Sequence, residues 1–222
     1  MTNDELVQKL VRELRSVRRL RGFEWRALVW AALAFGWMAL VTHALGARPD
    51  LLRKLGEAPF LAEGAALLAL FVASARSAFR LSVPGLERAG STRALPLVGL
   101  GVWMLLVVVD PSGRVVEAAS LPRTFLPGSP CAWKTIVLVF APALCAFLML
   151  RRAAPLSEGW TGLCALLACG ALAMLGTHVV CRNDSLRHVL VFHVGAVLVA
   201  AAVGIVAGPL FLRRARVTTR GA

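Results

Sequence analysis

Six long apolar runs divide this chain, and short segments rich in Arg, Pro and Gly separate them. Each run approaches the roughly 20 residues that a helix needs to cross the hydrocarbon core of a bilayer. Every backbone polar group inside a bilayer needs a partner, and an apolar run of this length meets that need as an α-helix. The predicted spans are residues 27–45, 60–81, 95–109, 131–150, 160–180 and 188–212. The sequence therefore predicts an all-α, polytopic bundle of six transmembrane helices.

The composition excludes an ordinary soluble domain. Hydrophobic residues make up 58% of the chain and charged residues 17%, whereas about 25% of the residues in a soluble domain are charged. The net charge of +13 comes mostly from arginines that flank the apolar runs. This distribution is typical of membrane topology signals rather than of a nucleic-acid surface. We therefore predict a lipid bilayer as one partner and no direct contact with nucleic acid.

The basic residues also predict the orientation of the bundle. An even number of spans places both termini on the same side of the membrane. Sixteen Lys and Arg residues belong to that side, against seven on the other. Because basic loops are retained in the cytoplasm, both termini are predicted to be cytoplasmic, including the basic tail at residues 213–222.

Residues 1–26 are predicted to form a cytoplasmic amphipathic arm followed by an interfacial collar. Thr2 and Glu5 have the spacing of a capping box, which starts a helix by pairing its first amide groups. At 100° per residue, the apolar face of this helix contains Leu6, Leu10, Leu14 and Val17, and its polar face contains Arg12 and Arg15. Such a helix either lies on anionic lipid or binds the apolar groove of a partner protein. The residues alone leave both alternatives open.

Cysteine and histidine side chains gather at the predicted outer ends of the last three spans. Cys131 opens the fourth span and Cys181 closes the fifth, while His178, His188 and His193 lie near the same depth. Three interpretations follow: a structural disulfide between Cys131 and Cys181, a thiol redox or metal sensor that also uses some of the histidines, or unrelated packing residues. No C-x-x-C spacing selects among them.

No enzyme is predicted, and no cofactor. The chain lacks a hydrolase elbow, a P-loop, an H-E-x-x-H and a dinucleotide fingerprint. No carboxylate lies in the middle of a span, where an ion-coupled transporter would need one. Gly204 and Gly208 form a G-x-x-x-G motif, for which we predict close packing inside the bundle in preference to a dimer interface.

Several segments, taken in order, resemble the NrsF-type anti-sigma factors, which are six-span bacterial membrane proteins named as negative regulators of sigma factor F. The similar segments are residues 5–10 and 17–20 of the arm, 47–51, 129–131, 151–156 and 177–181, followed by Asp184, His188 and His193. Together they extend through nearly the whole chain. The arginine- and alanine-rich composition is also similar to that of membrane anti-sigma factors of light-induced carotenoid regulation.

The resemblance implies that the arm binds an extracytoplasmic-function (ECF) sigma factor and holds it at the bacterial inner membrane until a stress or light signal arrives. It also implies that the paired cysteines of the family correspond to Cys131 and Cys181. The segment from Thr177 to Cys181 departs from the family pattern by one inserted residue, which leaves the role of His178 open. The rival functions are a small polytopic transporter or channel, and a membrane thiol or metal sensor without a sigma partner.

Overall fold

Six helices of the protein are long and apolar enough to cross a membrane, which confirms the predicted fold class. A computed structural model describes residues 2–13, 22–86, 90–109, 130–153 and 155–213, and contains no strand within them. The helices are α1 (Asn3–Glu13), α2 (Phe23–Leu45), α3 (Leu51–Lys54), α4 (Ala58–Leu81), α5 (Gly90–Val109), α6 (Pro130–Arg151), α7 (Glu158–Val180), α8 (Leu186–His188), a π-helix (Val189–Val194) and α9 (Gly195–Leu212).

The third span is longer than its apolar run. Helix α5 begins at Gly90 and includes 20 residues, whereas the apolar run predicts a start at residue 95. The first turn of α5, Gly-Ser-Thr-Arg, is polar but helical, so hydropathy detects only the later part of the helix. The whole helix has the length that a membrane span requires.

Helix α7 forms the centre of the bundle. Small residues such as Ala168, Cys169 and Ala171 cover its surface and are fully buried, so neighbouring helices can pack against it on several sides. Cys164 is buried in the same core, where a free cysteine packs as a small apolar side chain. The opposite surfaces of α2, α5 and α9 keep large apolar side chains exposed, as helices that face lipid would.

Three glycines set the closest helix crossing, between α7 and α9. A Cβ atom on Gly204 would lie 2.7 Å from the carbonyl carbon of Gly162 and 2.9 Å from the Cα atom of Leu163. A Cβ atom on Gly208 would similarly meet the backbone of Glu158 and Gly159. The G-x-x-x-G motif therefore packs inside the bundle, as predicted.

Helix α2 is fastened to α6 by side chains that donate to backbone carbonyls. The indole N–H of Trp30 donates to Pro142 O at 3.0 Å, and that of Trp37 donates to Val137 O at 3.1 Å. Arg26, which is buried near the start of α2, donates to the carbonyl of Met149. These three bonds are spread along the helix pair, so α2 and α6 are held together over most of their length.

Helix α1 begins with the predicted capping box. The Thr2 N–H donates to Glu5 Oε2 at 2.8 Å, and the Glu5 N–H donates to Thr2 Oγ1 at 3.3 Å. The side chains described for α1 are all exposed, including Leu6 at 41% and Val11 at 59%. Leu14, Arg15 and Val17 lie outside the described residues, as do residues 214–222 of the predicted tail.

Candidate functional site

Two thiols and two imidazoles converge at the end of the bundle where α6 begins and α7 ends. Cys131 Sγ lies 3.4 Å from Cys181 Sγ, which in turn lies 3.4 Å from His188 Nε2. His193 Nε2 lies 3.2 Å from His188 Nε2. The candidate ligand atoms of these four residues all lie within 4.8 Å of one another. We refer to Cys131, Cys181, His188 and His193 as the Cys/His cluster.

Each member of the cluster is placed by a helix terminus or by an irregular turn. Cys131 lies in the first turn of α6, and Cys181 follows α7, where its N–H donates to Thr177 O. His188 ends α8, and His193 lies in the π-helix that follows. In an α-helix, two residues five apart would point about 140° away from each other. The wider i→i+5 turn of the π-helix brings both imidazoles to one face.

The spacing of the cluster suits a tetrahedral metal ion. Zinc bonds of about 2.3 Å to sulfur and 2.0–2.1 Å to nitrogen place neighbouring ligands of a tetrahedron roughly 3.3–3.8 Å apart. Three of the six pairs of ligand atoms lie 3.2–3.4 Å apart, which is close to these values. Thiolate and imidazole ligands favour Zn²⁺ and similar soft ions over Mg²⁺ or Ca²⁺. The cluster therefore has the donor set of a Cys₂His₂ metal site, and a small contraction of the pairs that lie up to 4.8 Å apart would give it tetrahedral dimensions.

The cluster also favours thiol chemistry. Cys131 and Cys181 are free thiols, and their sulfur atoms are close enough for oxidation to join them after a small movement. Hydrogen bonds from Cys131 first, and then from His188 and His193, lower the pKa of Cys181 and outweigh the opposing effect of its burial. A lowered pKa increases the fraction of the nucleophilic thiolate, which is the form that binds metals and reacts with oxidants.

Of the five residues predicted for the redox or metal sensor, His178 lies outside the Cys/His cluster. Its ring stacks on Phe60 with 4.1 Å between the centroids, and its Nε2 atom lies 3.4 Å from Phe60 O. The cluster of metal-ligating groups contains the other four predicted residues only. The sensor role of all five residues stays a prediction.

A buried arginine, which sequence analysis did not single out, anchors the loop that carries Cys181. Helix α2 ends at Leu45, and the next residue, Gly46, has a φ of 78° that favours glycine. The chain then turns so that Arg48 reaches back into the bundle. The Arg48 N–H donates to Val179 O at 2.9 Å. Its guanidinium donates twice to Asp50 and twice to Asp184, over 2.7–3.0 Å. Arg48 is only 4% exposed, so these bonds form a buried clamp between two loops.

The charge of Arg48 controls the ionisation of both carboxylates. Hydrogen bonding to Arg48 lowers the pKa of Asp50 well below its usual value. Burial opposes ionisation of Asp184, but hydrogen bonds and charge from Arg48, supplemented by Lys54, outweigh burial and lower its pKa. Lys54 Nζ lies 3.3 Å from Asp184 and 2.8 Å from Glu57. The sequence signals for this network are the Arg48-Pro49-Asp50 tripeptide and Asp184, which both belong to the family-like segments.

The arm provides the second candidate site. Leu6, Val7 and Val11 expose apolar surface on α1, and Arg12 is exposed as well. Leu10 lies on the same helix. The segment is therefore helical as far as Glu13, and the side chains described on it are uncovered, which is the state that a partner-binding helix needs.

Comparison with known protein families gives a match over most of the chain. The family model described as negative regulator of sigma F (NrsF) matches residues 10–213, which include the second part of the arm, all six long helices and the Cys/His cluster. No curated protein and no solved structure matches the chain. Because the match extends over most of the chain, it confirms the resemblance seen in the sequence. This chain belongs to the NrsF family of negative regulators of sigma F.

Proposed function

We propose that this protein is a multi-pass anti-sigma factor of the bacterial inner membrane, which sequesters an ECF-type sigma factor through its cytoplasmic arm. Family membership supports negative regulation of a sigma factor. The observation that carries the finer proposal is the uncovered amphipathic helix α1, attached to six helices of membrane-spanning length. A sigma factor bound to this arm would be held at the membrane and kept from RNA polymerase.

The apolar face of the arm is large enough for tight binding. Full burial of one Leu or Val side chain contributes about 1.5–3 kcal/mol. The four apolar side chains proposed for the interface, Leu6, Leu10, Leu14 and Val17, would therefore contribute roughly 6–12 kcal/mol before the cost of association. Arg12 and Arg15, on the polar face, would pair with acidic groups of the sigma factor and mainly increase the association rate.

We further propose that the Cys/His cluster receives the releasing signal. Soft metal ions and oxidants, including oxidants generated by light, react with thiolates. Cys131 lies in the first turn of α6, and α6 is fastened to α2 through Trp30, Trp37 and Arg26. Helix α2 directly follows the arm in the chain. A displacement of Cys131 would thus move α6 and, through these hydrogen bonds, α2, whose first residues connect to the arm.

Capture of the sigma factor from membranes tests the proposal. We expect Leu6→Asp combined with Leu10→Asp to abolish capture, because two charges would be placed in the apolar interface. Gln8→Asp places one negative charge on the polar face instead and is expected to leave capture intact. Equal capture by the wild type, the double variant and Gln8→Asp would exclude the arm from sigma binding.

Deletion of residues 1–20 separates the proposal from its two rivals. A transporter would keep its transport activity without the arm, and a sensor without a sigma partner would keep metal or oxidant binding without affecting transcription. The anti-sigma proposal instead requires target transcription to rise when the arm is removed. The partly enclosed cavity next to the cluster measures about 20 Å³, which is room for one water molecule rather than for a transported solute.

A further inference from the structure

An apolar groove lies between α2 and α4, at the end of the bundle where α2 begins. It measures about 330 Å³. Three of its lining residues are buried, namely Ala27, Phe71 and Ala75, and two others, Leu28 and Val72, are exposed. The buried residues therefore form the floor of the groove, and the exposed side chains form its walls.

Two opposite charges lie at one end of this groove. Glu24 belongs to the first turn of α2 and Arg76 to the later part of α4, and both line the groove. Arg76 Nη2 lies 3.5 Å from Glu24 Oε1, and both side chains are largely exposed. This long contact uses one carboxylate oxygen and a single N–H of the guanidinium group, which leaves acceptors and donors for a further partner.

The groove follows α2 away from the charged pair. Glu24, Ala27, Leu28 and Ala31 have the i, i+3, i+4, i+7 spacing of one helix face. These seven residues of rise extend about 10 Å, which is most of one leaflet in a hydrocarbon core about 30 Å thick. Trp25, next to Glu24, is 52% exposed, as is typical of an aromatic residue at the membrane–water interface. The charged pair therefore lies at the depth of lipid headgroups, and the apolar part of the groove lies at the depth of the acyl chains.

The volume and the charges identify the guest. One turn of an α-helix, about 10 Å across, occupies roughly 400 Å³, so the groove is too small to hold a helix of a second protein. A hydrocarbon chain is narrow enough. Arg76 favours a phosphate group, whereas Glu24 repels a purely anionic headgroup and favours a cation with N–H donors. A phospholipid that carries both a phosphate and a primary ammonium meets all of these requirements.

We propose that the groove binds one molecule of phosphatidylethanolamine. One acyl chain lies against Ala27, Phe71 and Ala75, the phosphate accepts hydrogen bonds from Arg76, and the ammonium group donates to Glu24. The headgroup thus replaces one long contact by two charge-assisted hydrogen bonds and links the start of α2, which follows the arm, to α4. The inference rests on the proposed location in a membrane, but not on sigma binding or on the Cys/His cluster.

Native mass spectrometry of the full-length protein in detergent micelles tests the choice of headgroup. The wild type is expected to bind its first phosphatidylethanolamine about 3–10-fold more tightly than phosphatidylcholine or phosphatidylglycerol with the same acyl chains. Glu24→Gln should abolish this preference, and Arg76→Gln should weaken the binding of all three lipids. The matched control is Glu57→Gln, which removes a carboxylate paired with Lys54 at the other end of α4 and should keep the preference.

A measurement on the wild type keeps the test independent of any folding defect in the variants. A phosphatidylethanolamine with a photoactivatable group near the start of one acyl chain is incorporated into nanodiscs that contain the protein. Cross-links, located by peptide mass spectrometry, should concentrate in residues 27–31 and 71–76, and unlabelled phosphatidylethanolamine should suppress them. The inference is overturned if the cross-links spread evenly over the exposed apolar side chains of α5 and α9, or if phosphatidylcholine suppresses them equally well.

The same preparations separate this inference from the proposed function. If phosphatidylethanolamine binds selectively while the membranes capture no sigma factor, the lipid site stands and the anti-sigma proposal fails. If the arm captures the sigma factor while the wild type shows no preference among the three headgroups, the anti-sigma proposal stands and the lipid inference fails.

Discussion

Asp184→Asn is the substitution that most directly probes how the Cys/His cluster is held in place. Asp184 lies three residues after Cys181, and its two carboxylate oxygens accept from Arg48 at 2.8 Å each. An asparagine side chain has nearly the same shape, but it offers one acceptor and no charge. The variant would therefore weaken one side of the Arg48 clamp while Asp50 still binds the other side.

The structure sets the size of the effect. A hydrogen bond to a charged group contributes about 1.5–3 kcal/mol, and the amide would lose one such bond and weaken the other. The side chain of Asp184 is 42% exposed whereas that of Arg48 is 3% exposed, so solvent partly compensates the loss. We expect a destabilisation of about 1–2 kcal/mol, between the values of surface and buried pairs.

Two measurements check this expectation. The midpoint of thermal unfolding in detergent should fall, and Cys181 should react faster with a membrane-impermeant thiol reagent, as read from its peptide by mass spectrometry. The matched control is Glu57→Gln, which weakens the pair with Lys54 but does not contact Arg48. If the two variants behave alike, or if the reactivity of Cys181 does not change, the clamp does not position the cluster.

The stability of the wild type and that of Asp184→Asn should depend differently on pH. Because Arg48 lowers the pKa of Asp184 and Asp50, their contribution to stability is complete above the unfolded-state pKa of about 3.9 and disappears as the pH falls through the lowered values. The wild type should therefore lose stability below about pH 4, and its advantage over Asp184→Asn should shrink there. An advantage that stays constant down to pH 2 would show that the charge of Asp184 does not contribute.

Two further substitutions test the packing and the ligands. Gly204→Ala should destabilise the bundle by about 1–3 kcal/mol, because its Cβ would meet the backbone of Gly162 and cannot be accommodated by a side-chain movement. The measurement is the midpoint of thermal unfolding. The control is Gly64→Ala, whose Cβ would have no atom within 4 Å. Cys131→Ser should weaken Cd²⁺ binding by more than about 100-fold, beyond the effect of a group outside the ligand set. His178→Phe keeps the stacking on Phe60 and should leave the Cd²⁺ affinity unchanged, so an equal loss in both variants would contradict the assigned ligands.

Local patterns in the sequence predict much of this fold. The spans follow from hydropathy because a bilayer requires continuous apolar helices, and the helix start at Thr2 follows from two side chains three residues apart. The packing of Gly204 also follows from a short motif. Each of these features depends on residues close together in the chain. The polar first turn of α5 was missed because hydropathy does not detect helix formation outside the apolar run.

Contacts between distant residues could be predicted only in part. The predicted topology places Cys131 and Cys181 at one depth, but depth does not fix which sides of the helices face each other. Arg48 and Asp184 are 136 residues apart, and neither has a local pattern that requires a partner. Glu63 lies near the predicted start of a span, where a charged side chain is expected to extend to the membrane–water interface. It is nevertheless only 4% exposed. Its position becomes clear only when Trp103 and His193 are seen around the same cavity.

The two histidines of the cluster show why helical periodicity alone misassigns this site. At 100° per residue, His188 and His193 belong to different faces of the last span, and a helical wheel would assign one of them to lipid or to another helix. The π-helix at Val189–Val194 adds one residue to the turn and returns His193 to the face of His188. Residue composition does not signal such a turn, since Val, Leu and Phe are equally compatible with a regular α-helix in this setting. Single π-turns inside α-helices are frequent at functional sites, and here the irregular turn places both imidazoles beside Cys181.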